Sequence, residues 1–556
     1  MDNSSFIYHN LCGDGSLMVI IPHEDDEINL AGALIYGARQ EGIPVKCVFL
    51  TNGDAEYPAF IRIHEAVKAL KILGVKEEDI IFLGYPDGGR HGERSPFLHR
   101  PEEIKKAGGH PVTYGSRNHP DFASSKYGKP HDCSWENLLS DLEAVILEYK
   151  PSLIAATDFD YHPDHRMCCL AFMEAMNRIL HKDHRYRPKV LMGYCYTTGF
   201  DSVDDFYGPH LLSTVVNRQT LRNKKYETEN PVYPWKNRLR LPVPAACRTR
   251  LKDNILFHAL CAHLSQKASR RAVQLVNGDE VFWERRTDNL LYEGEVTVSS
   301  GNPKYLHDFH MIDTKDILSD EPEMMDYLWT PNGDDKSPWC QCDFRKPQHV
   351  ESMALYGNIE EESRIEKGRI SFSNGFALDI GPLSLHGQPA VVSFPPQEEV
   401  QWVRLEIIKS IGEAAGLSEW EIFRNETKSY RFLQITMDDQ FAYDWTIYPG
   451  EKPKIGVYSP DTGISTRWSV NGQPVSEEEL NKKLQHLQKK AVIRVEDSEN
   501  PSSWCEVTVR PAGLLDSIDH RLTVMQDRFS IWWEKQSEKR PHHRLRKMKK
   551  EEDYRV

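Results

Sequence analysis

Residues 16–22 (SLMVIIP) run straight into Pro22-His23-Glu24-Asp25-Asp26-Glu27, and residues 29–42 (NLAGALIYGARQEG) follow at once. A short apolar run that ends on turn and acidic residues reads as a buried strand, and the stretch after it carries apolar positions at helical spacing up to a stop at Gly42. The unit is strand, loop, helix. It recurs outward from there: residues 45–51 (VKCVFLT) as strand, 62–74 (RIHEAVKALKILG) as helix, and 79–89 (DIIFLGYPDGG) as a strand running into a glycine turn. Residues 135–150 (WENLLSDLEAVILEYK) then give an amphipathic helix and 151–158 (PSLIAATD) another strand. Such alternation predicts an α/β domain, a parallel sheet with helices on both faces. Ligand crevices in these sheets lie beyond the carboxyl ends of the strands. Two polar motifs fall there: the acidic cluster at 22–27 and Asp160-Tyr161-His162-Pro163-Asp164-His165.

At 556 residues the chain exceeds what one core sustains, so several domains are expected. Hydrophobic residues at 39% and charged residues at 27% suit a globular chain with filled cores. A net charge of −14 argues against nucleic-acid binding, whose footprint is a basic face. No apolar run approaches the length of a membrane span, and the first residues lack the pattern of a secretion signal, so residence in the cytoplasm is the expectation. The 11 cysteines are scattered and read as reduced, mostly buried thiols. Cys168-Cys169 and the Cys340/Cys342 pair sit poorly for a disulfide or a metal knuckle.

From about residue 306 helical periods fade and short β-rich runs take over. The expected division is an α/β domain over 1–305, a β-sandwich module over 306–426, a second, immunoglobulin-like one over 427–512, and a helix with a basic tail over 513–556. In the tail, Leu515, Ile518, Leu522, Met525, Phe529 and Trp532 alternate spacings of three and four, and a Lys/Arg-rich run follows. The readings open for it are a helix docked on a neighbouring domain, self-association, or attachment to an anionic membrane surface.

The chemistry-bearing residues sit at the two strand ends. His23 and Asp26, three residues apart at the opening of a helix, can turn toward one point. Pro163, tolerated in a first helical turn, lets His162 and His165 do the same. One carboxylate and two imidazoles from separate loops suit a catalytic zinc site with a position left for water. Asp25 is then the expected general base and His162 the group that serves the leaving amine, with Asp164 orienting or tuning it. Similar fragments, His307-Asp308-Phe309-His310 and His119-Pro120-Asp121, do not follow apolar strands.

Residues 16–270 resemble the PIG-L (LmbE-like) family of zinc-dependent N-acetylglucosaminyl deacetylases, whose signature is a His-Pro-Asp-Asp-Glu stretch after the first strand and a His-Pro-Asp-His stretch later. Further matches are Thr51-Asn52-Gly53-Asp54, Arg62 with Glu65, Tyr85-Pro86-Asp87-Gly88 and Ala262-His263-Leu264-Ser265-Gln266. The resemblance implies a Rossmann-like domain, Zn2+ on His23, Asp26 and His165, Asp25 as base, His162 at the oxyanion, and Arg62 and Asp87 lining a pocket for an N-acetylated sugar. Glu24 departs from the family pattern, which most often has proline there. Residues 306–425 resemble discoidin-like jelly rolls through Leu355-Tyr356-Gly357-Asn358, Gly368-Arg369-Ile370 and Leu417-Ser418-Glu419-Trp420-Glu421-Ile422. Such modules often bind glycans through loop aromatics, for which Trp329, Trp339 and Trp402 are available, although a sandwich tryptophan more often fills the core. The expected function is removal of an N-acetyl group from an N-acetylglucosamine-type sugar. The alternatives are a zinc amidase acting on another amide, such as a thiol-sugar conjugate, and a catalytically silent glycan-binding adaptor.

Overall fold

The structure is a computed structural model that describes residues 7–88, 96, 100–158, 162–195, 200–201, 210–216, 237–310, 328–358, 363–384, 389–412, 415–425, 432–461 and 463–537. Asp160 and Tyr161 of the second motif, most of the 89–99 loop and the basic run 538–556 lie outside the described residues.

The α/β unit opens with β1 (Leu17–Ile21), α1 (Asp26–Gln40), β2 (Val45–Thr51), α2 (Ala59–Ile72) and β3 (Ile80–Tyr85). It continues through α3 (Trp135–Tyr149), β4 (Leu153–Thr157), α4 (Pro163–Lys182) and β5 (Lys189–Gly193). These five strands are parallel, in the order β3-β2-β1-β4-β5. β1 is buried on both sides because successive side chains feed two cores. Leu17, Val19 and Ile21 join the layer under α1 and α2, and Met18 and Ile20 join the layer under α3 and α4. The order also reverses between β1 and β4. Their carboxyl ends flank the switch point of the sheet, where a crevice forms of itself.

The expected α/β domain with a mostly parallel sheet is what the structure shows, with two further strands at one edge. β6 (Leu239–Pro242) and, after α5 (Ile255–Ala262), β7 (Asp279–Arg285) extend it antiparallel beside β5. Their sequences, LRLP and DEVFWER, mix polar with apolar residues, as strands at an antiparallel edge do. α1 is not continuous either. It breaks at Ala31 (φ −149°), and Glu280 of β7 accepts the N–H groups of Ala33 (2.6 Å) and Leu34 (2.8 Å) freed by the break.

The second sheet is built on two long antiparallel strands, Trp339–Gly357 and Ala390–Ile411, whose register shifts between Asp343 and Ser352. Trp329 is fully buried in its core with its indole N–H on the Ser300 carbonyl, while Trp339 and Trp402 are half-buried. Gly294–Val298 pairs with Cys340–Phe344 in this sheet, so its first strand lies within the stretch expected to close the α/β domain at 305. A third module of antiparallel strands, with Asp444–Ile447 added in parallel to Trp504–Pro511, occupies residues 432–511. The helix Leu514–Ser537 follows. No helix among the described residues is long and apolar enough to cross a membrane. None of the eleven cysteines is bridged to another, and only Cys261 is not buried.

Buried ionic contacts join the modules. Arg240 of β6 donates to Asp279 (2.8 Å), Ser213 (2.8 Å) and the Asp439 carbonyl (2.9 Å) of the third module. Arg285 of β7 pairs with Glu419 (3.3 Å) and Glu421 of the second module and lies over the Phe309 ring. Arg285 and both carboxylates are at most 3% exposed. Removing one partner of such a cluster leaves charge buried without compensation, at a cost of roughly 3–5 kcal/mol. Arg285→Met is therefore expected to lower the denaturation midpoint sharply, and adding Glu419→Gln with Glu421→Gln should restore much of it. An unchanged midpoint in the single variant would show that the cluster does not hold the modules together.

Candidate active site

β1 and β4 deliver both polar motifs to the switch point. Asp26 opens α1 and is fully buried, its Oδ1 taking the Asn29 amide (3.0 Å). Its Oδ2 lies 3.1 Å from His23 Nδ1 and 3.2 Å from His165 Nε2. Burial alone would raise the Asp26 pKa, but His165 and His23 hold it well below the usual carboxylate range. Three further sets of donor atoms lie within 4.8 Å of one another among the described residues: His23 with His162 and His165, Asp26 with His165 and Cys195, and His23 with Asp87 and Asp164. The expected ligands are thus neighbours, and the buried nitrogen and oxygen donors suit a divalent ion such as zinc.

His23 uses its other nitrogen too. Nε2 lies 3.0 Å from Asp164 Oδ2 and 3.7 Å from Asp87 Oδ2, the carboxylate–imidazole support usual behind a metal ligand. Asp164 is the residue expected to orient or tune His162. The Asp164 carboxylate is turned to His23 and to the Gly88 N–H (2.9 Å), and burial, with Asp87 beside it, pushes its pKa up to about 6. What reaches His162 is the Asp164 backbone, whose N–H donates to Nδ1 (3.3 Å). Nδ1 is therefore an acceptor and the ring proton sits on Nε2. Burial, followed by His23 and His165, pushes the His162 pKa down to about 2, so the ring is neutral.

Asp25 has φ 123°, a region that only glycine enters without strain, and it is 2% exposed. The surroundings force that conformation. Its N–H donates to Glu27 Oε2 (2.8 Å), its carbonyl accepts from Ile28 and Asn29 (both 3.3 Å), and its carboxylate is held by Arg62 on Oδ1 (3.3 Å) and Arg271 on Oδ2 (2.8 Å). Glu27 is in turn fixed by His263 (2.6 Å), with both side chains fully buried.

Arg62, expected to line the sugar pocket, is hydrogen-bonded to the loops around it. It donates to the carbonyls of Gly53 (3.0 Å) and Glu24 (2.6 Å) and is 8% exposed. Glu24, the departure from the family pattern, faces Arg62 Nε at 3.5 Å, and burial, offset in part by Arg62, pushes its pKa up to about 8. The fit is tight: Gly53 has φ 55°, and a Cβ there would lie 2.4 Å from Arg62 Nη1. Asp87 is buried beside His23 Nε2 (3.7 Å), with its N–H on Asp54 (2.8 Å).

Arg271 and Cys195 escape a reading of the sequence. Arg271 sits in a 3-10 turn, Ala268–Arg271, just beyond the Ala262–Gln266 match, and no periodic pattern marks it. Cys195 follows β5, its thiol 3.1 Å from Thr157 Oγ1. The decoy histidines lie elsewhere. His307 packs against His181 and Tyr292, and His119 pairs with Glu77 (2.9 Å).

Among known families, the one described as GlcNAc-PI de-N-acetylase (PIG-L) matches residues 18–176, and a domain of unknown function matches 289–423. No curated protein matches the chain. The solved structures similar to it include N,N'-diacetylchitobiose deacetylase from Pyrococcus horikoshii, at 17% identity and TM-score 0.23, covering 35% of this chain and 65% of that one, so just under two thirds of its length is spanned. A conserved protein from Thermus thermophilus is 16% identical, TM-score 0.26, over 47% of this chain and 83% of that one. The family 32 carbohydrate-binding module of NanJ from C. perfringens, solved with galactose, is 16% identical, TM-score 0.18, over 24% of this chain and 95% of that one. Scores this low add nothing to the family match. The match to the PIG-L family is confined to residues 18–176 of this chain.

Proposed function

We propose that this chain is a metal-dependent hydrolase that removes the N-acetyl group from an N-acetylglucosamine-type sugar in a glycan or glycoconjugate, with His23, Asp26 and His165 holding Zn2+. The observation that carries this reading is the buried Asp26 Oδ2 set between two imidazole nitrogens, one residue away from a strained, doubly anchored Asp25. Zinc bound there supplies a Lewis acid and a water acidified to a pKa of roughly 7.

The remaining work belongs to side chains. Asp25 takes the proton of the attacking water, and its carboxylate plane is fixed beforehand because Arg62 and Arg271 each grip one oxygen. His162, neutral with its proton on Nε2, donates to the acetyl oxygen as negative charge develops there. A neutral imidazole is a poor acid, so the proton collected by Asp25 is the one passed to the leaving amine. Asp164 holds His23 in place, and Asp87, at the rim beside Gly88, is assigned to a sugar hydroxyl. Acetate release from a panel of N-acetylated saccharides tests the activity, and release from none of them would overturn it.

Ligand and base variants should fail differently. Asp26→Ala and His165→Ala are expected to lose zinc and activity together. Asp25→Asn and His162→Ala should keep stoichiometric zinc while turnover falls roughly 10²–10⁴-fold. Zinc analysis beside acetate release decides this; loss of metal from Asp25→Asn would refute the division of roles. Arg271→Ala should retain zinc and lower kcat more than it raises KM, with Arg271→Lys recovering part of the loss. A change confined to KM would make Arg271 a substrate-binding residue instead.

A further inference from the structure

The helix Leu514–Ser537 is attached by the face a surface helix normally shows to water. Asp527, 5% exposed, accepts the N–H of Leu251 (3.1 Å); Ile531 packs on the core beneath the sheet; Arg250 reaches Asp519 (3.0 Å) and Gln526 (3.3 Å). Thr523, Val524, Ser530 and Glu534 on the same side are half-buried. The apolar stripe points away. Leu515, Ile518, Leu522, Met525, Phe529 and Trp532 are between 49% and 78% exposed, flanked by Leu514 at 93% and Trp533 at 58%. Turning this stripe inward would pull Asp527 off Leu251 and Arg250 off its two partners.

We propose that a second copy of this chain covers the stripe, the two helices pairing as a parallel two-stranded coiled coil. Three observations select that occupant. First, the spacing of three, four, three, four, three is a strict two-position seam with a 3.5-residue period, which a partner helix fills knob into hole. A membrane surface calls for a broad apolar face with basic residues opposite, whereas the opposite face here carries Asp527 and is docked on protein. Second, the residues flanking the seam repel one another less in one orientation than in the other. Arg521, Arg528 and Lys535 lie along one side, and Asp519, Gln526 and Trp533 along the other. An antiparallel pair would set the three cations against their own copies. A parallel pair sets Arg521 beside Gln526 of the other copy and Arg528 beside its Trp533, where a guanidinium can lie over the ring. Third, the exposed apolar surface is on the order of 1,000 Å² per protomer, matching the roughly 800 Å² per partner of a stable interface, and two-fold dimers are the commonest closed assembly.

Sedimentation of the full chain at micromolar concentrations tests this. The wild type should show twice the 64.1 kDa chain mass. Leu522→Glu with Phe529→Glu should give a monomer that stays folded, since both positions face solvent in the protomer. Leu515→Cys reports orientation. In a parallel pair the two introduced thiols meet and oxidise to a covalent dimer that the unmodified chain does not form, while in an antiparallel pair they would be ~25 Å apart. A wild-type monomer at all concentrations, a dimer surviving in the double variant, or a monomer that co-sediments with phosphatidylserine vesicles would each overturn the proposal. Failure of Leu515→Cys to cross-link would overturn the parallel arrangement.

Discussion

The site depends on one buried carboxylate. Asp26 is wholly removed from water, and a carboxylate in that position persists only with positive charge and hydrogen bonds around it. His23 and His165 converge on the same oxygen and Asn29 occupies the other, which is why the proposed cation is assigned to Asp26 Oδ2. The fold makes this convergence cheap. β1 and β4 are adjacent at the point where strand order reverses, so two histidines 142 positions apart in number meet there.

Around that carboxylate the protein stores strain and braces it. Asp25 is kept in an unfavourable conformation by Glu27, Arg62 and Arg271, and those three are themselves fixed by His263, by Gly53 with Glu24, and by the turn Ala268–Arg271. The helix Leu514–Ser537 packs against that same turn, so an element 243 or more positions along from Arg271 supports the residue that grips Asp25. Glu24, which breaks the family pattern in sequence, becomes intelligible as the buried partner of Arg62.

Much of this was legible because it is local. The alternation of apolar strands with helical periods gave the sheet, and strand ends pointed to His23, Asp25, Asp26, His162 and His165. What escaped depends on partners far along the chain. Asp164 stands two residues from His162 and reads as its helper, yet its carboxylate faces His23, 141 positions away. Gly294–Val298 has the composition of a strand, but only its pairing with Cys340–Phe344 assigns it to the second module. The stripe of the last helix was plain in the spacing, whereas its direction follows from Asp527 and Leu251, which no pattern connects. Arg62 was placed near the pocket by resemblance, and its hold on the Gly53 and Glu24 carbonyls is a further role that no pattern in the sequence marks.

The measurement that bears most directly on the central claim is a zinc-edge anomalous difference map from crystals of the full chain grown with zinc. A single strong peak in contact with Asp26, His23 Nδ1 and His165 is the expected result. A peak on the other side of His23, among Nε2, Asp87 and Asp164, or none at all, would contradict it.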